Sequence, residues 1–122
     1  MRVFFDQGTP VPLRHHLPGH QVSTAHELGW GRLNNGELLA RAEAEGFDVL
    51  VTTDQNLKYQ QNLANRQIAI VVLTSTSWPR IRQVLPHVVE AINGVVPNDY
   101  IEVKVPDDHS PPRGPSVPSP EP

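Results

Sequence analysis

Apolar and polar residues follow one another along this chain in blocks that predict strands and helices in alternation. Four short runs rich in β-branched and aromatic residues predict strands, at residues 3–5, 20–24, 48–53 and 68–73. An alternating segment at 100–105 predicts a fifth strand, placed at a sheet edge. The runs at 48–53 and 68–73 are continuously apolar, as expected of strands that are covered on both faces.

The segments between these strands carry apolar residues at helical spacing. They predict helices at 36–46, where Gly46 is a stop signal, and at 78–93, with shorter helices at 10–16 and 57–64. Pro86 lies inside the last long helix and predicts a kink or a late start. Strands alternating with helices predict an α/β fold of three layers, with a central, mostly parallel sheet covered on both sides.

Composition divides the chain into a folded domain and a tail. The whole chain of 122 residues has the length of one domain. Seven of its 13 prolines fall between residues 106 and 122, among Ser, Asp, Gly and Glu and almost no apolar side chains. Such a segment buries too little surface to offset its ordering entropy. We therefore predict a domain at 1–105 and a disordered, proline-rich tail at 106–122, read as a solvated extension rather than a ligand for an aromatic groove.

The amino-acid content also excludes several classes of protein. There is no cysteine, which rules out disulfides, thiol catalysis and cysteine-bound zinc. No apolar run approaches the about 20 residues that span a bilayer, and the first residues are too short for a signal-peptide core. These features predict a soluble, cytoplasmic protein without membrane contact. The net charge of −3 argues against tight nonspecific binding of nucleic acid.

Two of the predicted strands end in an aspartate that is followed by turn-forming residues. Asp6 follows the first strand and Asp54 follows the strand at 48–53. Residues just past the carboxyl ends of parallel strands line the ligand crevice of α/β folds, so the two aspartates converge if their strands are neighbours. Paired carboxylates can hold a divalent metal and support hydrolysis. The structural alternative is that Asp6 caps a turn and Asp54 forms an Asx-turn.

Four short motifs resemble those of the small PIN-like proteins, a set of short, mostly bacterial domains. The sequence reads FDQGTP at 5–10, HQV at 20–22, NGELL at 35–39 and TTDQNL at 52–57. The resemblance covers residues 1–75, and the spacing between the motifs is retained. It implies a PIN-like fold, and many PIN domains are Mg²⁺- or Mn²⁺-dependent ribonucleases or toxins of toxin–antitoxin pairs.

Carried over position by position, the resemblance makes Asp6, Glu37 and Asp54 the catalytic and metal-binding residues. Asn35 and Asn56 stand where relatives often have Asp, so the site carries up to two fewer negative charges. Gly8 replaces the usual Asn of the first motif.

Four residues near these acids are predicted to contact substrate, namely Asn35, Asn56, Lys58 and Thr53. The cofactor implied is Mg²⁺ or Mn²⁺, and the partners implied are RNA, an antitoxin protein and a second copy of the chain.

Three functional interpretations follow. The first is a PIN-like metal-dependent endoribonuclease, acting alone or as a restrained toxin. The second is a catalytically weakened PIN-like domain that binds protein or RNA as a regulatory module, which Asn35 and Asn56 favour. The third, a phosphatase with Asp6 as nucleophile, is disfavoured because Gly8 stands where a second acid is needed. A histidine-bound zinc is likewise disfavoured by the spacing of the histidines, and Trp30 is read as a packing residue rather than a base-stacking one.

Overall fold

Five parallel strands form one sheet in the computed structural model, which describes residues 1–60 and 62–106 and, of Gln60, the backbone alone. The strands are β1 (Arg2–Phe5), β2 (Gln21–Thr24), β3 (Val49–Thr52), β4 (Ala69–Leu73) and β5 (Tyr100–Val103). Their order across the sheet is β2-β1-β3-β4-β5, and each neighbouring pair is parallel. The five predicted strands are confirmed, and β5 lies at a sheet edge as predicted.

Helices connect the strands and cover both faces of the sheet. They are a 3₁₀ helix (Val11–His16), α1 (Asn35–Ala44), α2 (Leu57–Gln60), α3 (Trp78–Gln83) and α4 (Leu85–Gly94). α2 is shorter than the predicted helix at 57–64. The predicted helix at 78–93 is divided in two at Val84. Pro86 has no N–H to donate to the carbonyl of Arg82, so the helical ladder breaks there, as the sequence predicted.

The ends of α1 are fixed by local hydrogen bonds. The Asn34 side chain accepts from the Glu37 N–H at 2.9 Å, and the Glu37 carboxylate accepts from the Asn34 N–H at 3.0 Å. This reciprocal pair is a capping box, and such caps stabilise a helix by about 1 kcal/mol. Gly46 adopts a φ of 85° just after the helix, which confirms it as the stop.

Two apolar clusters hold the three layers together. Alternate residues of the central strands point to opposite faces, so Val3 and Phe5 pack on one side of β1 while Phe4 packs on the other. The first cluster includes the 3₁₀ helix, α3 and α4, and the second includes α1 and α2. β3 and β4 are buried along their whole length, which confirms the prediction of strands covered on both faces.

The strand order creates a switch point between β1 and β3. From β1 the chain crosses outward to β2, then returns to the other side of β1 to form β3. Ligands of open α/β sheets bind at such a point, outside the carboxyl ends of the strands. Asp6 directly follows β1 and Asp54 lies two residues beyond the end of β3. The condition on which their convergence depends, that their strands are neighbours, is therefore met.

The predicted tail at 106–122 falls almost entirely outside the described residues, which end at Pro106. In the described part of the chain, no helix combines the length and the apolar character needed to cross a membrane.

Candidate functional site

Asp6 is a buried carboxyl at the end of β1. It is 8% exposed, and its backbone N–H donates to the Val51 carbonyl at 3.3 Å. One carboxyl oxygen accepts from the Thr9 hydroxyl at 2.8 Å, and the other accepts from the Thr52 hydroxyl. Burial raises the pKa of Asp6, and the hydrogen bonds from Thr52 and Thr9 offset part of that rise. The site thus favours the neutral acid more than water does.

The hydrogen bonds of the Thr9 hydroxyl also bear on the protonation of Asp6. The Thr9 hydroxyl lies 2.8 Å from Asp6 Oδ1 and 2.9 Å from the Val51 carbonyl oxygen. A hydroxyl has one hydrogen, and a carbonyl oxygen can only accept. With Asp6 ionised, the two acceptors share that hydrogen; with Asp6 protonated, Asp6 donates to Thr9 and Thr9 donates to Val51. Protonation therefore satisfies both acceptors around the Thr9 hydroxyl, whereas the backbone hydrogen bonds of Gly8 and Thr9 to the carboxyl lower the pKa of Asp6.

Thr52 joins the two strand-end aspartates. It is 1% exposed, and its hydroxyl donates to Asp6 Oδ2 while it accepts from the Asp54 N–H at 3.0 Å. One side chain thus connects the end of β1 to the turn that follows β3. The sequence singled out Thr53 for substrate contact, but Thr52 is the threonine that contacts both aspartates. The role of Thr53 in binding stays a prediction.

Asp54 is half-buried and both of its carboxylate oxygens accept hydrogen bonds. Oδ1 accepts from the Asn56 N–H at 2.9 Å, which closes an Asx-turn, and Oδ2 accepts from the Asn35 side-chain amide. Asn35 is the first residue of α1, so this bond ties the start of the helix to the end of β3. The structure therefore brings Asp54, Asn35 and Asn56 together, and the Asx-turn that the sequence left open is present.

Glu37 is engaged elsewhere. It is exposed, and its carboxylate caps its own helix at Asn34. Within residues 1–60 and 62–106, no group of three or more His, Asp or Glu side chains is placed to hold a metal ion. The role of Glu37 as a metal ligand stays a prediction.

Binding of one divalent cation by Asp6 and Asp54 stays a prediction. Mg²⁺ is commonly held by one or two carboxylates together with waters and substrate phosphate oxygens. Each carboxylate oxygen of Asp6 and Asp54 accepts one of the bonds described above and has a second lone pair. Carboxylates that ligate metals are usually hydrogen-bonded by neighbouring groups as well. Asp6 and Asp54 would hold this ion. Among the described residues, no third carboxylate is placed with them to hold a second ion.

A cavity of about 310 Å³ opens beside Asp6, on the side of β2. Its lining includes Gln7, Thr24 and His26. This volume lies at the lower end of the range for small-ligand pockets. The cavity gives a small group access to the carboxyl that is otherwise buried under the strand ends.

Lys58 lies on α2, shortly after Asp54. Its ammonium group is 5.1 Å from the ring centroid of Tyr59 and 5.7 Å from that of Tyr100. Tyr59 is 77% exposed. These distances place the ammonium group in cation–π contact with both rings. The contact of Lys58 with substrate stays a prediction. Trp30, in contrast, packs on Phe4 with ring centroids 5.4 Å apart, in agreement with the packing role.

Sequence reasoning missed Thr9, and of the two threonines before Asp54 it selected Thr53 rather than Thr52. Thr9 follows Asp6 by three positions in a turn, and Asp and Thr side chains in turns commonly form local hydrogen bonds. That spacing was the available signal. Thr52 gave none beyond β propensity, because its partner Asp6 is 46 residues away in the chain.

Gly8 should resist substitution because of the side chain next to it. A Cβ at this position would lie 2.4 Å from the Thr53 hydroxyl oxygen. We expect Gly8→Ala to lower the free energy of unfolding by about 1–3 kcal/mol, the usual range for overpacking. Urea unfolding would measure this loss, and the double variant Gly8→Ala/Thr53→Ala should recover most of it. A double variant no more stable than Gly8→Ala would contradict this steric explanation.

Comparisons with known proteins do not place the chain in a family. No family model, curated protein or solved structure matches it. The likeness to the PIN-like proteins stays a prediction, and function is inferred from the geometry of the site.

Proposed function

We propose that this protein is a metal-dependent endoribonuclease of the PIN-like type, with one Mg²⁺ or Mn²⁺ held by Asp6 and Asp54. The observation that carries the proposal is the position of these two carboxylates at the switch point of a parallel sheet. β1 and β3 are direct neighbours, and Thr52 connects the two acids. A buried acid at such a crevice is a functional-site feature, since its burial opposes stability.

The residues around the acids have separate tasks in this proposal. Thr9 and Thr52 orient Asp6, while the Asn35 amide and the Asn56 N–H orient Asp54. A bound divalent ion supplies an activated water and neutralises charge on the phosphate. Burial raises the pKa of Asp6, so metal affinity should rise with pH through the range in which this carboxyl loses its proton. Asn35 and Asn56 add no negative charge, which predicts a weakly held ion and slow turnover.

A second function, a regulatory module that binds RNA or protein, is favoured by a different observation. Glu37 and Asn35 occupy positions that carry acids in the PIN-like pattern, and here both make structural hydrogen bonds, one to Asn34 and one to Asp54. In either function, the proposed location is the cytoplasm and the proposed partners are RNA, an antitoxin and a second copy of the chain.

Metal binding and cleavage can be tested together on the purified protein. We expect millimolar Mn²⁺ or Mg²⁺ to stabilise the wild type in thermal melting, by about 2.7 kcal/mol at 100 times Kd. The same ions should support cleavage of a labelled single-stranded RNA. Asp54→Asn should lose both effects, because it removes a ligand charge while keeping a side chain that can close the turn.

Asp48→Asn is the matched control. It makes the same change of charge at the opposite end of β3, where Asp48 accepts from the Arg2 N–H at 2.8 Å. It should respond to metal like the wild type. A wild type that neither shifts with metal nor cleaves RNA would overturn the nuclease proposal. RNA or protein binding that survives Asp54→Asn would then support the regulatory module.

A further inference from the structure

The cavity beside Asp6 gathers buried polar side chains from two strand ends. Among the described residues, the buried polar or charged side chains are those of Asp6, Thr9, Thr24 and Thr52. The first three line this cavity of about 310 Å³, and Thr52 donates to Asp6. Burial of polar side chains opposes folding unless they are hydrogen-bonded, and polar groups that converge on one cavity favour a binding site there.

The cavity lies beyond the carboxyl ends of β1 and β2, next to the switch point. Phe5 and Thr24 are partners in the register of the two strands, and the Ala25 N–H donates to the Phe5 carbonyl at 3.0 Å. The chain therefore leaves both strands side by side. Asp6 belongs both to this cavity and to the proposed metal site, so a ligand in the cavity would adjoin a phosphate held at Asp6 and Asp54.

The groups that line the cavity can donate and accept hydrogen bonds. The Thr24 hydroxyl oxygen accepts from the Glu27 N–H at 3.1 Å, and a hydroxyl that accepts still has a hydrogen to donate. The Gln7 amide can both donate and accept. Among the described residues, no Lys or Arg lines the cavity, so the lining suits an uncharged polar group better than a phosphate.

The Gln7 side chain reaches the loop that follows β2. A Cβ built on Gly31 would lie 2.4 Å from Gln7 Nε2, so the amide rests in the space that glycine leaves open. A glutamine amide can form two hydrogen bonds with the edge of a nucleobase, one as donor and one as acceptor.

Apolar and aromatic surface completes the lining. Val11 and Ala25 supply the apolar part, and the exposed imidazole of His26 supplies a flat ring. Histidine is among the side chains on which unpaired RNA bases stack. A volume of about 310 Å³ lies at the lower end of the range for ligand pockets and suits one nucleobase better than a whole nucleotide.

We propose that this cavity binds the nucleobase of the nucleotide that adjoins the scissile phosphate, and thereby selects where the RNA is cut. This inference rests on the proposed function and assigns it a site of base specificity. Gln7 and Thr24 form hydrogen bonds with the edge of the base, and His26 packs on its face. Asp6 connects the cavity to the metal site.

Binding of single nucleosides tests the cavity without cleavage. The probes are uridine, cytidine, adenosine and guanosine, each added at millimolar concentration to the 122-residue chain without divalent metal. Nuclear magnetic resonance follows the side-chain amide signal of Gln7. We expect one nucleoside to shift this signal and to bind about tenfold more tightly than the weakest of the four, which is the discrimination that one bidentate amide contact gives.

Two variants change the amide in different ways. Gln7→Ala removes it and should abolish the preference. Gly31→Ala should do the same while keeping the glutamine, because the new methyl group takes the place of the amide. Gln55→Ala is the matched control, since it removes the same side chain after β3, outside the cavity lining, where Gln55 donates to the Thr74 carbonyl at 3.3 Å. It should keep the preference, and melting shows whether each variant is folded.

Equal binding of the four nucleosides, or no binding of any, would overturn the base site. A preference that survives both Gln7→Ala and Gly31→Ala would overturn it as well. Metal-dependent melting of the wild type decides the metal site independently, so failure of the base site and failure of the nuclease proposal are distinguished.

Discussion

Asp6→Asn is expected to remove metal-dependent RNA cleavage and to leave the metal-free protein more stable than the wild type. The carboxyl is buried, and burial raises its pKa, so its ionised form opposes folding near neutral pH. An asparagine carries no charge and can still accept from Thr52 through its oxygen. Its amide can donate to Thr9, leaving the Thr9 hydrogen for the Val51 carbonyl. We expect a gain of about 0.5–2 kcal/mol, as at other sites where function opposes stability.

The pH dependence of this gain has a defined sign. A folded-state pKa above the unfolded value of 3.8 means that the folded protein holds the Asp6 proton more tightly than the unfolded chain does. The contribution of Asp6 to stability is therefore complete below 3.8 and is lost as pH rises through the folded pKa. Glu27 and Glu43 have lowered pKa values, so their contributions to stability are lost as pH falls. Both residues are present in the wild type and in Asp6→Asn, so they do not affect the difference between the two.

Urea unfolding of the wild type and of Asp6→Asn across acidic and neutral pH would measure the difference. The advantage of Asp6→Asn should grow as pH rises through that window and then level off. Asp6→Ala is the contrasting variant, because it leaves the Thr9 and Thr52 hydroxyls without their partner and should be less stable than the wild type. If the free energy of unfolding of Asp6→Asn differed from that of the wild type by the same amount at every pH, the charge-based explanation would be contradicted.

The layers of the fold could be predicted from the sequence because strand and helix periods differ. Continuous apolar runs can be buried only in a sheet covered on both faces, and the segments at 48–53 and 68–73 became β3 and β4. The boundaries were less accurate where a short segment has weak helical character, as in α2. The order of the strands across the sheet could not be predicted, because the local sequence does not determine which strands pair.

The sequence predicted only those site residues that can be recognised from their immediate neighbours in the chain. Asp6 and Asp54 were found because each ends an apolar run, and the Asx-turn at Asp54 follows from neighbouring residues. The bond between Asn35 and Asp54 required knowing that the start of α1 packs at the end of β3. The bridge through Thr52 required the register of β1 against β3, which no local pattern encodes.

Thr52→Val should be the most damaging single change near the site. The hydroxyl is buried, and its removal leaves Asp6 Oδ2 and the Asp54 N–H without their bond to it. A buried polar group without a partner costs about 1–3 kcal/mol, so two of them predict a loss of roughly 2–4 kcal/mol. Valine keeps the size and shape of threonine, which separates the hydroxyl from packing.

Two further variants isolate the bridge. Thr52→Ser keeps the hydroxyl and should lose only about 1 kcal/mol for the missing methyl group. Thr53→Val, one position along the chain at a half-buried residue, should stay within about 1 kcal/mol of the wild type. Urea unfolding gives the stabilities, and Mn²⁺ melting should show that Thr52→Ser keeps the response to metal while Thr52→Val loses it. Equal losses for the valine and serine variants would place the effect in packing, and Thr52 would then have no part in joining the two aspartates.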